Sequence, residues 1–218
     1  MTSGTTNQRN RAQRHPRADG ERTRGAILRA AASLATLEGL EGLSIGHLAD
    51  AIGMSKSGLY AHFGSKEELQ LATVAEAERI LDAEVIEPAL AAEPGRAQLA
   101  AVCEAYLGYV QRHVFPGGCF FAATALEMGT RPGPVKDRIA AFQSGFTALL
   151  STLAATAVEQ HELPPRETPD RLAFELHAIL LAADAKFILL DDPAVLDLAR
   201  QVVHQRLGLG NGSDTGES

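Results

Sequence analysis

The chain contains no tryptophan, and its only thiols are Cys103 and Cys119. Two cysteines build no disulfide framework, and no metal-ligand spacing surrounds them, so a stapled scaffold and a metal centre are not expected. Apolar–polar alternation of useful length is missing, which argues against strands. No apolar run reaches the roughly 20 residues that span a bilayer. The polar, arginine-rich start lacks the apolar stretch of a secretory signal. With few prolines and much alanine and leucine, the composition favours helix. The expectation is an all-α cytoplasmic protein without membrane partner or cofactor.

The net charge is −7, but it is unevenly spread. Residues 1–66 hold nine Lys/Arg against five acids, and the remainder is strongly acidic. Local cations, rather than the total, govern phosphate binding. The basic part therefore points to a polyanion and the acidic part away from one.

Residues 43–69 explain why the cations gather there. Leu43, Ile45, Leu48, Ala49 and Ile52 recur at helical spacing, with Ser44 placed as cap. Gly53 suits the left-handed residue of a tight turn. Ser55 opens a second helix that turns Leu59 and Phe63 inward. Lys56, Ser57, Gly58, Tyr60 and His62 fall on its outward side. This is the layout of a helix-turn-helix, whose second helix enters the major groove of DNA. Ser65 and Glu68 have capping-box spacing and start a further helix, with Lys66 in its first turn.

The stretch SIGHLADAIGMSKSGLYAHFGSKEELQLA resembles, over its whole length, the DNA-binding signature of TetR-family transcriptional repressors. The likeness spans residues 22–69. It implies an N-terminal three-helix DNA-binding domain and a divergent helical C-terminal domain that dimerises and holds a small-molecule effector. It implies that Ser44, Lys56, Ser57, Gly58, Tyr60, His62 and Lys66 face DNA, while Ala49, Gly53, Leu59 and Phe63 hold the fold.

The domain expectations follow: a disordered basic arm over 1–18, a helix-turn-helix domain over 19–64, a helical ligand-binding and dimerisation domain over 65–208, and a flexible tail over 209–218. The first helix is expected to begin between Asp19 and Thr23, placing Arg22, Thr23 and Arg24 near backbone phosphates. The connecting helix should run from Ser65 to about Pro88. Further helices are expected over 94–114, 119–128, 135–162, 170–190 and 192–207.

Aromatic and polar residues gather on the middle helices and define the expected ligand pocket: Cys103, Tyr106, Tyr109, His113, Phe120, Phe121, Thr124, Glu127, Met128, Phe142, Phe146 and His177. The last two helices are apolar beyond one face. Leu172, Leu176, Ile179, Ala183, Phe187, Leu196 and Val203 are expected at an interface with a second copy. The partners expected are thus double-stranded operator DNA, a second copy and an unidentified small molecule. Two alternatives stand beside this reading. One is a redox-sensing regulator built on Cys119; the other is a helical enzyme with Cys103 or Cys119 as nucleophile.

Overall fold

The computed structural model describes residues 6–209, with side-chain surroundings from residue 20 onward. Every regular element among the described residues is helical. Helix α1 spans Thr6–Glu38. It begins well before the expected start and takes in residues 6–18 of the expected disordered arm, whose residues 1–5 lie outside the described residues. The arginine, glutamine and alanine there are good helix formers, and the helix continues through Pro16 although that residue has no N–H to donate. The side chains of the arm's arginines lie outside the described residues.

Ile27, Leu28, Ala31, Ala32 and Ala35 form the buried stripe of α1. They meet α2 (Ile45–Ile52) and α4 (Lys66–Leu81), with α3 (Lys56–Phe63) completing the N-terminal unit. Three serines start these short helices. Ser44 Oγ accepts the His47 N–H, Ser55 Oγ the Gly58 N–H, and Ser65 Oγ the Glu68 N–H. Each such cap is worth about 1 kcal/mol. Gly53 ends α2 at φ 69°, in the left-handed region that a side chain would resist.

Helix α4 does not fade at Pro88 as expected. It passes through one π turn, Asp82–Ile86, and continues as α5 (Glu87–Leu90). The Glu87 N–H reaches back five residues to the Asp82 carbonyl. Pro88 has no N–H of its own to restore the α pattern. The rest of the body comprises α6 (Arg96–Gln111), α7 (Phe120–Met128), α8 (Pro134–Glu159), α9 (Pro169–Leu190) and α10 (Ala194–Arg206). Helix α8 has the length and hydropathy of a membrane span, yet it packs against α4, α6, α7 and α9. Leu209, assigned to the tail, still packs on the core, and residues 210–218 lie outside the described range.

Candidate DNA-binding surface and effector site

Helix α3 is held by its inner side. Leu59 and Phe63 are buried, whereas Lys56, Ser57, Tyr60 and His62 are exposed. Tyr60 is 56 % exposed, which is unusual for a tyrosine with no partner side chain to cover it. Gly58 is half-buried because its N–H is taken by Ser55, and an added Cβ would lie 3.0 Å from that hydroxyl. Arg22, Thr23 and Arg24 are exposed on α1. The Arg24 guanidinium sits 5.0 Å over the Phe63 ring, which ties α1 to the end of α3.

Two expected DNA contacts carry other duties. Ser44 is half-buried and serves as the α2 cap. Lys66 Nζ lies 2.8 Å from a Glu41 carboxylate oxygen, and Arg131 lies 3.9 Å from the same oxygen. The Lys66 hydrogen bond holds the Glu41 carboxyl below its ordinary range. Lys56 faces Asp50 at 3.6 Å, but both side chains stay open to water, so the pair is weak.

In the body, five of the expected pocket residues converge. Tyr106, Phe121, Phe142, Phe146 and His177 line one small cavity with Cys119, Gln143 and Leu181. Its free space is about 10 Å³, enough for about one water. The rings close on one another: Phe121 stacks on Phe142 at 3.5 Å, and Phe146 lies 5.1 Å from the His177 ring. Behind them, Tyr109, Phe115 and Phe120 continue the aromatic chain. On the far side of Phe142 and Phe146, a cleft of about 340 Å³ opens between α4 and α8, past Glu78, Asp82 and Arg138. The expected pocket is therefore a packed aromatic cluster beside an open cleft.

Several members of the expected set do not belong to the cavity. His113 lies exposed in the turn after α6, at φ 48°, against Phe187. Cys103 is fully buried, and burial pushes its thiol up to about 12. The Thr124 hydroxyl donates to the Phe120 carbonyl one turn back, which satisfies it within α7. Met128 is buried at the end of the same helix. Glu127 is the largest correction. Its carboxylate accepts the Leu40 N–H at 2.8 Å and the Glu41 N–H at 2.9 Å, in the loop between α1 and α2. Gly39 must be glycine there, because its φ is +88° and a Cβ would come within 2.8 Å of Glu127 Oε1. Gln70 Nε2 donates to the Leu40 carbonyl at 2.7 Å. Thr36 Oγ1 accepts the Gly117 N–H at 3.1 Å. Residues chosen for a ligand thus include a clamp between the body and the helix-turn-helix.

Sequence reasoning missed Asp184. It is 3 % exposed and accepts the Cys119 N–H through both oxygens, at 3.2 and 3.3 Å. Burial pushes its carboxyl up to about 7, and no cation offsets this. The signal was its spacing: Leu180 and Phe187, four before and three after, lie on the buried side of α9. The Tyr106 and Tyr109 hydroxyls are buried nearby, the first beside the Cys119 thiol and the second beside the Phe120 backbone. Burial and the neighbouring Cys119 and Asp184 push both phenols upward.

The expected interface set also changes place. Leu172, Leu176, Ala183, Phe187, Leu196 and Val203 are buried inside the protomer, and Ile179 is partly buried against the core. Helices α9 and α10 pack on α6, α8 and each other, which uses those residues. The outer sides carry Phe174, 70 % exposed, with Leu189, Leu198 and Val202 also exposed.

These features match a known class. Residues 27–73 fit the profile of bacterial regulatory proteins of the tetR family, and residues 95–203 fit the tetracyclin repressor-like C-terminal domain. The chain belongs to the TetR family of transcriptional regulators, with its DNA-binding helix-turn-helix at the N-terminus. Among solved structures, a TetR transcriptional regulator from Chloroflexus aurantiacus is 25% identical, with TM-score 0.80 over 88% of this chain and 96% of that one. A regulator of the same family from Streptomyces coelicolor, 23% identical, has TM-score 0.72 over 86% of this chain and 94% of the other. AibR, solved with isovaleryl coenzyme A and operator DNA, is 24% identical, with TM-score 0.66 over 84% of this chain and 97% of AibR. No curated relative matches the sequence. Regulators of this family are generally transcription factors rather than enzymes.

Proposed function

We propose that the chain is a homodimeric repressor that a small molecule releases from a palindromic operator. The outward face of α3 carries this reading. Lys56, Ser57, Tyr60 and His62 stand exposed together, while Leu59 and Phe63 anchor the helix from behind. Such a helix presents short polar groups to base edges and cations to phosphates. Arg22, Thr23 and Arg24 flank it on the phosphate side. Ser44 and Gly58 contribute mainly by setting the two helix starts, and Lys66 shares its charge with Glu41.

A second copy is expected on the outer stripe of α9 and α10. Phe174, Ala178, Ala182, Ala185 and Leu189 are exposed at helical spacing, as are Leu198 and Val202 on α10. A stripe of this kind favours burial against its twin across a twofold axis. The effector is expected where the aromatic cluster meets its neighbouring clefts. That AibR was solved with both isovaleryl coenzyme A and operator DNA supports a small-molecule effector for this chain.

The cysteine-based alternatives find little support. Cys119 and His177 share the small cavity, but burial and Asp184 push the Cys119 thiol up to about 11. The His177 ring is engaged with the Thr147 hydroxyl at 2.9 Å. A protonated, buried thiol is a poor nucleophile and a poor redox sensor.

Selection of bound DNA from a random pool tests the reading. The expected product is a palindrome whose half-sites lie about one helical turn, ~34 Å, apart. Tyr60→Ala and Lys56→Ala should weaken binding to it without loss of helix content. A pool that yields no palindrome, or variants with unchanged affinity, would overturn the proposal.

A further inference from the structure

A groove of about 660 Å³ runs between α7 and α9, walled by Leu126, Leu181, Ile188 and Leu189. Its polar groups are few, and one is the Asp184 carboxyl at its base. Ala122, Gln143 and Leu181 are walls common to this groove and to the small aromatic cavity. The groove and the cavity are therefore neighbours separated by one layer of side chains. Gly118, at φ +86°, lets the loop backbone close over Asp184, since a Cβ there would meet Asp184 Oδ1 at 2.3 Å.

A carboxyl this deeply buried usually has a cation beside it, because burial without one is costly. Among the described residues Asp184 accepts only the Cys119 N–H. The Tyr106 hydroxyl, buried beside the Cys119 thiol, faces the neighbouring aromatic cavity. Asp184 is thus a buried acid with no cation beside it among the described residues, on the wall of a mostly apolar groove. The Asp184 carboxyl lines the groove itself, whereas Tyr106 and the phenyl rings lie beyond its wall, around the aromatic cavity.

We propose that the effector is a lipophilic amine, its ammonium paired with Asp184 and its apolar body lying along the groove towards the aromatic cluster. This rests on the effector-released reading given above. An ammonium near the Asp184 carboxylate supplies the missing charge, and the neighbouring tyrosine rings also favour a cation. A carboxylate or an acyl phosphate finds no buried cation there. The mouth borders Ala185 and Leu189 of the outer α9 stripe, so a second copy is the competing occupant.

Calorimetric titration of the full-length protein with three probes of one shape decides the matter: 4-phenylbutylamine, 4-phenylbutan-1-ol and 4-phenylbutanoate. The amine should bind at least tenfold more tightly than the alcohol, and the carboxylate more weakly than either. Asp184→Asn keeps an acceptor for the Cys119 N–H. It should bring amine and alcohol within about twofold of each other and leave the alcohol unchanged. Equal affinity for the three probes, or an amine preference that survives Asp184→Asn, would sink the proposal. So would no binding at all, the result expected if a second copy fills the groove. Should the variant not fold, the order of the probes on the natural chain still decides. Gel-shift binding of the selected palindrome without probe is measured in parallel. Intact DNA binding with failed amine preference removes the effector class alone, whereas lost DNA binding removes the regulator reading.

Discussion

Asp184 shows how one side chain can set a pH dependence. Its carboxyl is raised from 3.8 to about 7 in the fold. Below pH 4 it is neutral both folded and unfolded. Between pH 4 and 7 the unfolded chain releases the proton and the folded chain keeps it. The folded state then binds more protons, so stability falls as pH rises through that window. Above pH 7 the loss is complete. Asp184→Asn should remove this contribution. The natural chain should lose stability relative to the variant between pH 4 and 7, as read by urea midpoints at matched ionic strength. Parallel pH curves for the two proteins would show that Asp184 does not titrate this way. This residue was hidden in the sequence because an acid on an apolar helix usually marks the wet side. Its spacing from Leu180 and Phe187, four before and three after, is the one sequence signal that it does not.

At the scale of elements, α7 does two jobs with nine residues. Phe120 and Phe121 join the aromatic cluster at one end, and Glu127 holds the 40–41 backbone at the other. Glu127→Ala leaves two partly buried N–H groups without an acceptor, at about 1–3 kcal/mol for a fully buried group. It should lower stability by an amount in or below that range and speed amide exchange at Leu40 and Glu41. Unchanged exchange there would rule out the clamp. The helices themselves were legible in the sequence, since serine caps, Gly53 and the apolar spacing mark α2 to α4. The π turn was not, because it depends on where Pro88 withholds an N–H within a continuous helix. The clamp was not either, because a glutamate between leucine and methionine on an apolar helix reads equally well as a ligand contact.

The whole molecule separates two kinds of apolar surface on its last helices. Leu176 is fully buried in the protomer, whereas Phe174 on the same helix is mostly open. Leu176→Ala should cost about 2–5 kcal/mol of fold stability, the usual range for a buried leucine. Phe174→Glu with Leu198→Glu should leave the fold intact and convert a dimer to a monomer in light scattering. A stable dimer in the double variant would place the interface elsewhere. Composition alone could not make this division. Helices α9 and α10 are apolar on more than one side, and periodicity does not say which side meets the chain's own core and which stays outside it.

The clamp between Glu127 and the 40–41 backbone has a consequence for synthesis. Its two halves are 87 and 86 positions apart along the chain. At roughly 5–20 residues per second, a ribosome delivers Glu127 about 4–17 s after Glu41. From the completion of α4 at Leu81 until then, the nascent reading head has its caps and small core, but the amides of its first loop face water. The reading head is therefore born untethered and acquires its attachment to the helical body only when α7 emerges.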